Sequence, residues 1–128
     1  MKVLIFENEV YLIENTFKTI NLLYFGNTLE IRYARTSQEI YPVVNISDYD
    51  IIIVDIDLSS KSHKDGIAII QDINNFDVSL LSKTFVLTGS TKVKDRLISL
   101  GFNSITVINK PSNYNEIYKA MKKVLDGE

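Results

Sequence analysis

Six residues, Asp50-Ile51-Ile52-Ile53-Val54-Asp55, constrain this chain more than any other segment. Four β-branched residues run without a break between two acids. Branched side chains pack well on an extended backbone and lose rotamer freedom in a helix. Because both alternating faces of the run are apolar, the strand has to be covered on both sides, at the centre of a parallel sheet. Parallel strands need crossovers, so the rest of the chain has to supply strands and helices in alternation.

The remaining apolar segments have that order. Val3-Leu4-Ile5-Phe6 is a continuous apolar run closed by Glu7-Asn8-Glu9, and reads as a first buried strand. Val10, Ile13, Phe17, Ile20 and Tyr24 follow at helical spacing, and Gly26-Asn27 ends that helix. Leu29 to Ala34 alternates apolar and charged residues, as an edge strand with one wet face does. Thr36 or Ser37 caps a second helix carrying Ile40, Val43 and Val44, kept short or kinked by Pro42, which lacks an N–H. Asp65-Gly66 opens a third helix with Ile67, Ile70 and Ile73 on one face. Thr84 to Leu87 forms a fourth strand ending at Thr88-Gly89-Ser90, and Val93, Leu97 and Leu100 line a fourth helix closed by Gly101. Ile105 to Ile108 forms a fifth strand, stopping at Asn109-Lys110-Pro111. Asn113 with Glu116 forms a reciprocal cap, and Ile117, Met121 and Val124 face the core from the last helix.

Five strands alternating with five helices in 128 residues predict one α/β domain over 1–128, with right-handed crossovers and an open, doubly wound sheet. A closed (β/α) barrel takes eight such units. The balance of 14 basic and 16 acidic residues leaves no basic excess for gripping a duplex, so nucleic acid is not expected as a direct partner. Without cysteine there is no disulfide, thiolate metal site or thiol nucleophile. MKVLIFENE places acids where a signal peptide needs apolar residues, and no apolar run spans a bilayer. The expectation is a cytoplasmic protein with no membrane contact.

In open parallel sheets ligands bind beyond the carboxyl ends of the strands, near the reversal of strand order. Those ends carry Glu7, Asn8 and Glu9; Asp55 and Asp57; Thr88; and Lys110. Oxygen ligands from adjacent strands suit Mg²⁺, which keeps several waters and binds one or two carboxylates. A phosphoryl group arriving at Asp55 would have its charge offset by the metal on one side and Lys110 on the other, with Thr88 donating a hydroxyl. Each residue also has a plainer use. Asp55 can cap the turn after its strand, Glu7, Asn8 and Glu9 can cap the first helix, and Lys110 can be a surface lysine. His63, flanked by lysines in a polar loop, reads as solvated. Tyr114 and Tyr118 on the last helix read as half-covering the core or facing a partner.

VLIFENE, YDIIIVDIDL, the Asp65-Gly66 pair, FVLTGS and NKP together resemble the receiver domains of two-component response regulators, in order and in spacing, from about Lys2 to Leu125. The resemblance implies a flavodoxin-like, three-layer α/β/α fold with strand order 2-1-3-4-5. It implies Asp55 as phosphoacceptor, with Glu7, Asn8, Asp55 and the backbone carbonyl of Asp57 around Mg²⁺ and with Thr88 and Lys110 sensing the phosphoryl group. The implied donor is a histidine kinase, a phosphotransfer protein or a small phosphodonor such as acetyl phosphate. The implied output is altered protein binding through the fourth helix, fifth strand and fifth helix. Such a protein is a switch and not an enzyme acting on other molecules. A homodimer is left open, and so is whether 126–128 closes a stand-alone receiver or begins a linker.

Four features depart from the family pattern. The second residue of the acidic pair is Asn8; Ser59 to Lys64 lengthens the loop after Asp55, which lacks the usual proline; the stretch from Gly101 to Lys110 is long; and Val107 occupies the place of the switching aromatic. Asn8 and Val107 keep open a pseudo-receiver that binds partners without phosphorylation. A flavodoxin is disfavoured because Glu7-Asn8-Glu9 would repel a flavin phosphate, and a phosphatase using Asp55 and Asp57 would have to turn over a phosphate ester.

Overall fold

The computed structural model describes residues 1–127; Glu128, the last residue of the expected tail, lies outside the described residues. The strands are β1 (Lys2–Phe6), β2 (Glu30–Ala34), β3 (Ile51–Val54), β4 (Thr84–Thr88) and β5 (Val107–Asn109). They form one parallel sheet in the order β2-β1-β3-β4-β5. The four α-helices are α1 (Glu14–Phe25), α2 (Gly66–Phe76), α3 (Val93–Ser99) and α4 (Tyr114–Asp126). The uninterrupted β3 run lies at the centre, with all four residues buried, and alternating β2 lies at an edge. Among the described residues no helix is long and apolar enough to cross a membrane.

Strand alternation divides the interior into two layers. Leu4, Phe6, Ile52, Val54 and Val86 pack on one face against α2, α3 and the segment from Ile40 to Ile46. Val3, Ile5, Ile51, Ile53, Phe85 and Leu87 pack on the other against α1 and α4. Every β3 side chain is withdrawn from water, each contributing roughly 1.5–3 kcal/mol of burial.

The second crossover differs from expectation. Among the described residues no second α-helix forms there, so the α-helices number four. The segment is two 3-10 pieces, Ser37–Glu39 and Val43–Asp48, parted at Pro42. Thr36 and Glu39 cap the first piece reciprocally, and Pro42 prevents its continuation. The expected fourth and fifth helices are therefore α3 and α4.

Smaller differences have local causes. Val10 lies in a 3-10 turn ahead of α1, and Tyr24 leaves the core stripe to stack on Tyr118, centroids 3.7 Å apart. Leu100 is exposed because α3 ends at Ser99, before the chain turns at Gly101. β5 begins only at Val107, although Ile105 is buried ahead of it. At α4 the cap is one-sided: Asn113 accepts from the Glu116 amide, while the Glu116 carboxylate takes the Ser112 hydroxyl.

Gly66 fixes the start of α2 against the central strand. Asp65 caps the helix by accepting from the Ala68 amide at 2.8 Å, and the Gly66 amide donates to the Ile56 carbonyl at 3.0 Å. A Cβ on Gly66 would collide with the Asp55 carbonyl oxygen and lie 2.6 Å from the Ile56 Cα, both backbone atoms that cannot yield cheaply. Gly66→Ala should therefore lower stability by roughly 1–3 kcal/mol in urea unfolding. Gly89→Ala, where a Cβ meets nothing within 4 Å, should change it by less than about 0.5 kcal/mol. Equal effects would disprove the close-approach argument.

Candidate functional site

The carboxyl ends of β1, β3, β4 and β5 meet on one rim. β1 is hydrogen-bonded to β3, β3 to β4 and β4 to β5, all parallel, so the residues just past these strands are neighbours in space. Past β1 stands Glu7, 2% exposed; past β3 stands Asp55, 5% exposed; and β4 ends at Thr88, fully buried. The Lys110 amide donates to the Thr88 carbonyl at 2.7 Å, which sets the lysine beside the end of β4.

From there the Lys110 side chain reaches back over the sheet. Its Nζ is 2.5 Å from Glu7 Oε1 and 3.1 Å from Asp55 Oδ2, donating to both. The structure thus brings Glu7, Asp55 and Lys110 into one ion cluster, from positions up to 103 residues apart. Thr88 lies in the same sheet end, but its hydroxyl enters no bond to the cluster. It accepts from the Ser90 amide at 3.3 Å, and among the described residues its own proton has no acceptor. His63 and Glu9 are exposed, and Glu9 makes no side-chain cap to the turn it begins.

Burial governs the charge state. Removal of Asp55 from water raises its carboxyl from 3.8 to about 7. The Glu7 carboxylate beside it adds to the rise, and Lys110 opposes it. For Lys110 burial acts downward, but the hydrogen bond to Glu7 and the charge of Asp55 overcome it and hold the ammonium above its ordinary value. The cluster therefore retains its cation across the physiological range, while burial disfavours the ionised form of Asp55.

The other edge of the carboxylates is lined by oxygens. Asp55 Oδ1 accepts from the Asp57 amide at 3.2 Å, and Glu7 Oε2 from the Glu9 amide at 3.3 Å. With its amide nitrogen inward, Asn8 donates to the Asp57 carbonyl at 3.2 Å and to Glu7 Oε2 at 3.3 Å. Turned over, the same amide would present its oxygen beside the Asp57 carbonyl and the Glu7 carboxylate, the orientation in which Asn8 could join a cation's ligands. Among the described residues no three His, Cys, Asp or Glu side chains gather as a metal site. The donor set is instead mixed: Glu7 and Asp55 carboxylates, the Asn8 amide and the Asp57 carbonyl. An all-oxygen set with two carboxylates fits Mg²⁺ with retained waters. The Asp57 side chain is exposed and stands apart.

A cavity of about 570 Å³ opens beside Lys110, lined by Leu12, Ile13, Thr16, Leu87, Pro111 and Ile117 among others. Of its apolar lining, Leu12 stays exposed.

Because Asp55 holds its proton more tightly folded than unfolded, the folded state binds more protons between about pH 4 and 7, and stability falls as pH rises through that window. Asp55→Asn, assayed without divalent cations, should match the wild type near pH 4. It should exceed it by at least about 1 kcal/mol at pH 8, with the gain levelling off above pH 7. Urea midpoints that differ equally at both pH values would contradict the burial account.

No protein-family model matches the sequence, nor does any curated protein. Solved structures do. The chain superimposes on a receiver domain protein of Methanospirillum hungatei JF-1 with a TM-score of 0.72 and 18% identity, over 98% of this chain and 93% of that one. It matches the signal receiver domain of a DNA-binding response regulator from Colwellia psychrerythraea 34H at 0.76 and 18%, over 98% of each chain. A two-component response regulator from Clostridium difficile matches at 0.70 and 20%, over 98% and 96%. The strand order and the crossovers around the acid–lysine cluster are thus those of a known architecture: the chain has the flavodoxin-like fold of response regulator receiver domains.

Proposed function

We propose that this chain is a phosphorylation switch of the two-component type, whose only chemistry is the gain and loss of a phosphoryl group on Asp55. The observation that carries the reading is the Lys110 ammonium held at hydrogen-bond distance from both Glu7 and Asp55. An ammonium so placed neutralises the anionic oxygens of a group attached to Asp55, the largest electrostatic demand of phosphoryl transfer.

In the proposed step an Asp55 carboxylate oxygen attacks phosphorus and forms an acyl phosphate. The bond from phosphorus to the donor breaks, and its electron pair leaves with the imidazole nitrogen of a phosphohistidine or with the carboxylate of acetyl phosphate. Lys110 then pairs with a phosphoryl oxygen, and the Thr88 hydroxyl, which accepts from the Ser90 amide, donates its proton to another. Glu7, Asn8, Asp55 and the Asp57 carbonyl are the residues that would hold Mg²⁺, which would offset the remaining charge. A histidine kinase or phosphotransfer protein is the inferred donor, and the apolar cavity beside Lys110 offers such a partner a foothold at the mouth of the site. The inferred output face is α3, β5 and α4, where Ile98, Leu100 and Tyr114 are exposed.

The test uses beryllofluoride with Mg²⁺ as a phosphoryl mimic. Amide resonances near Asp55, Thr88 and Lys110 should shift in the wild type and stay fixed in Asp55→Ala; an unresponsive wild type would leave only a binding module. Replacing the neutral ligand is a second test. Asn8→Asp adds an anion to the donor set and should tighten Mg²⁺ by about tenfold or more. Unchanged or weaker Mg²⁺ affinity would remove Asn8 from the proposed ligand set.

A further inference from the structure

The loop from Asp57 to Asp65 borders the site and contains little that would order it. Its residues after Leu58 are Ser59-Ser60-Lys61-Ser62-His63-Lys64, with no apolar side chain to bury. Polar connections of this length ordinarily move freely. Here the loop is fastened to a different crossover.

The anchor is Ser37, 1% exposed although it is a hydroxyl residue at the start of a 3-10 turn. Its amide donates to Ser62 Oγ at 2.9 Å, and its hydroxyl accepts from the Lys64 amide at 3.1 Å. Gln38 completes the join from the surface: its Nε2 donates to the Lys61 carbonyl at 2.7 Å, and its Oε1 accepts from the His63 amide at 3.0 Å. Ser62 turns its own proton inward to the Lys64 carbonyl at 2.6 Å. A second fastening lies just beyond. Lys64 Nζ pairs with Asp72 Oδ2 at 2.6 Å, and the Tyr41 hydroxyl donates to the same oxygen at 2.7 Å. At its other end the loop is bound to the site itself, through the Asp57 amide on Asp55 Oδ1, while beyond Asp65 the next residue, Gly66, sits close against the Asp55 carbonyl.

We propose that Ser37 is a positioning residue for Asp55: it splints the loop that presents the Asp57 carbonyl, and so sets how tightly the site holds a phosphoryl group and its counter-cation. This inference rests on Asp55 being the phosphoacceptor. Ser37 touches none of the reacting atoms and acts through Ser62 and Lys64.

The experiment compares wild type, Ser37→Ala, Ser37→Thr and Gln38→Ala as full chains. Gln38→Ala alters only an exposed side chain and so guards against a loss of fold. In the absence of ligand, amide exchange at Lys64 in Ser37→Ala, and at His63 in Gln38→Ala, should accelerate by roughly tenfold, while α4 amides keep their rates. Beryllofluoride affinity in the presence of Mg²⁺ should fall by about tenfold in Ser37→Ala, and less in Gln38→Ala. Ser37→Thr, which keeps the hydroxyl, should restore both. Faster exchange with undiminished beryllofluoride affinity would overturn the positioning role, as would unchanged exchange. A wild type that takes up no beryllofluoride would defeat the phosphoacceptor reading first, and the positioning claim with it, whatever the exchange rates.

Discussion

Two carboxylates drawn almost wholly out of water, side by side, cannot both remain ionised without a cation between them. Glu7 and Asp55 are in that position, and Lys110 is the cation. The lysine can serve only because β5 delivers it, and β5 lies three strands away from β1, with β3 and β4 between them. The strand order, the parallel direction and the length of each crossover are therefore all implicated in one contact. Were β5 placed at the other edge, beyond β2, the ammonium would be carried away from Asp55, leaving charged groups buried alone at a cost of several kcal/mol.

The same arrangement explains why a buried cluster of this kind is poised rather than merely stable. A buried ion pair contributes little net stability against an apolar replacement of equal volume. Here the ammonium is shared between two acids, and burial has pushed Asp55 up to about 7. The cluster is held together yet lacks enough positive charge, a lack that a divalent cation on the oxygen-lined side of Asn8 and Asp57 would relieve. Incoming negative charge at Asp55 would then find its counter-charges already in place, with little reorganisation needed.

Much of this was legible in the sequence, for a physical reason. Strands buried on both faces leave unbroken apolar runs, and β1 and β3 were unmistakable; alternation in β2 marked it as an edge. Chemistry in such sheets gathers where strands end, so residues immediately following each run were the ones to inspect, and Glu7, Asp55 and Lys110 meet there. What was not legible depends on contacts between distant segments. Ile40, Val43 and Val44 suggested a helix, but Pro42 and the demands of the core produced two 3-10 pieces. Leu100 and Tyr24 fit helical spacing, yet one lies past a helix end and the other is claimed by Tyr118. Ser37 read only as an alternative to Thr36 for a helix cap, and its burial arises only when the loop at 62–64 closes over it.

The composition of β5 bears on where a signal could leave the site. An aromatic ring at position 107 could swing between a buried and an exposed rotamer in step with Thr88, but Val107 has one stiff torsion and no second place to go. If the α3–β5–α4 face is the output, its coupling to the site would have to run through backbone movement at the end of β4, through the Lys110 amide on the Thr88 carbonyl. The route on the opposite side is more direct. The loop that touches Asp55 at Asp57 and Gly66 is bonded within a few residues to Ser37, Gln38 and, through Asp72, to Tyr41. A charge added at Asp55 would pull on the Asp57 amide and, through the loop it begins, on the bonds to Ser37 and Gln38 in the second crossover. Displacement there would have to break bonds to buried Ser37, which would favour a discrete response over a gradual one.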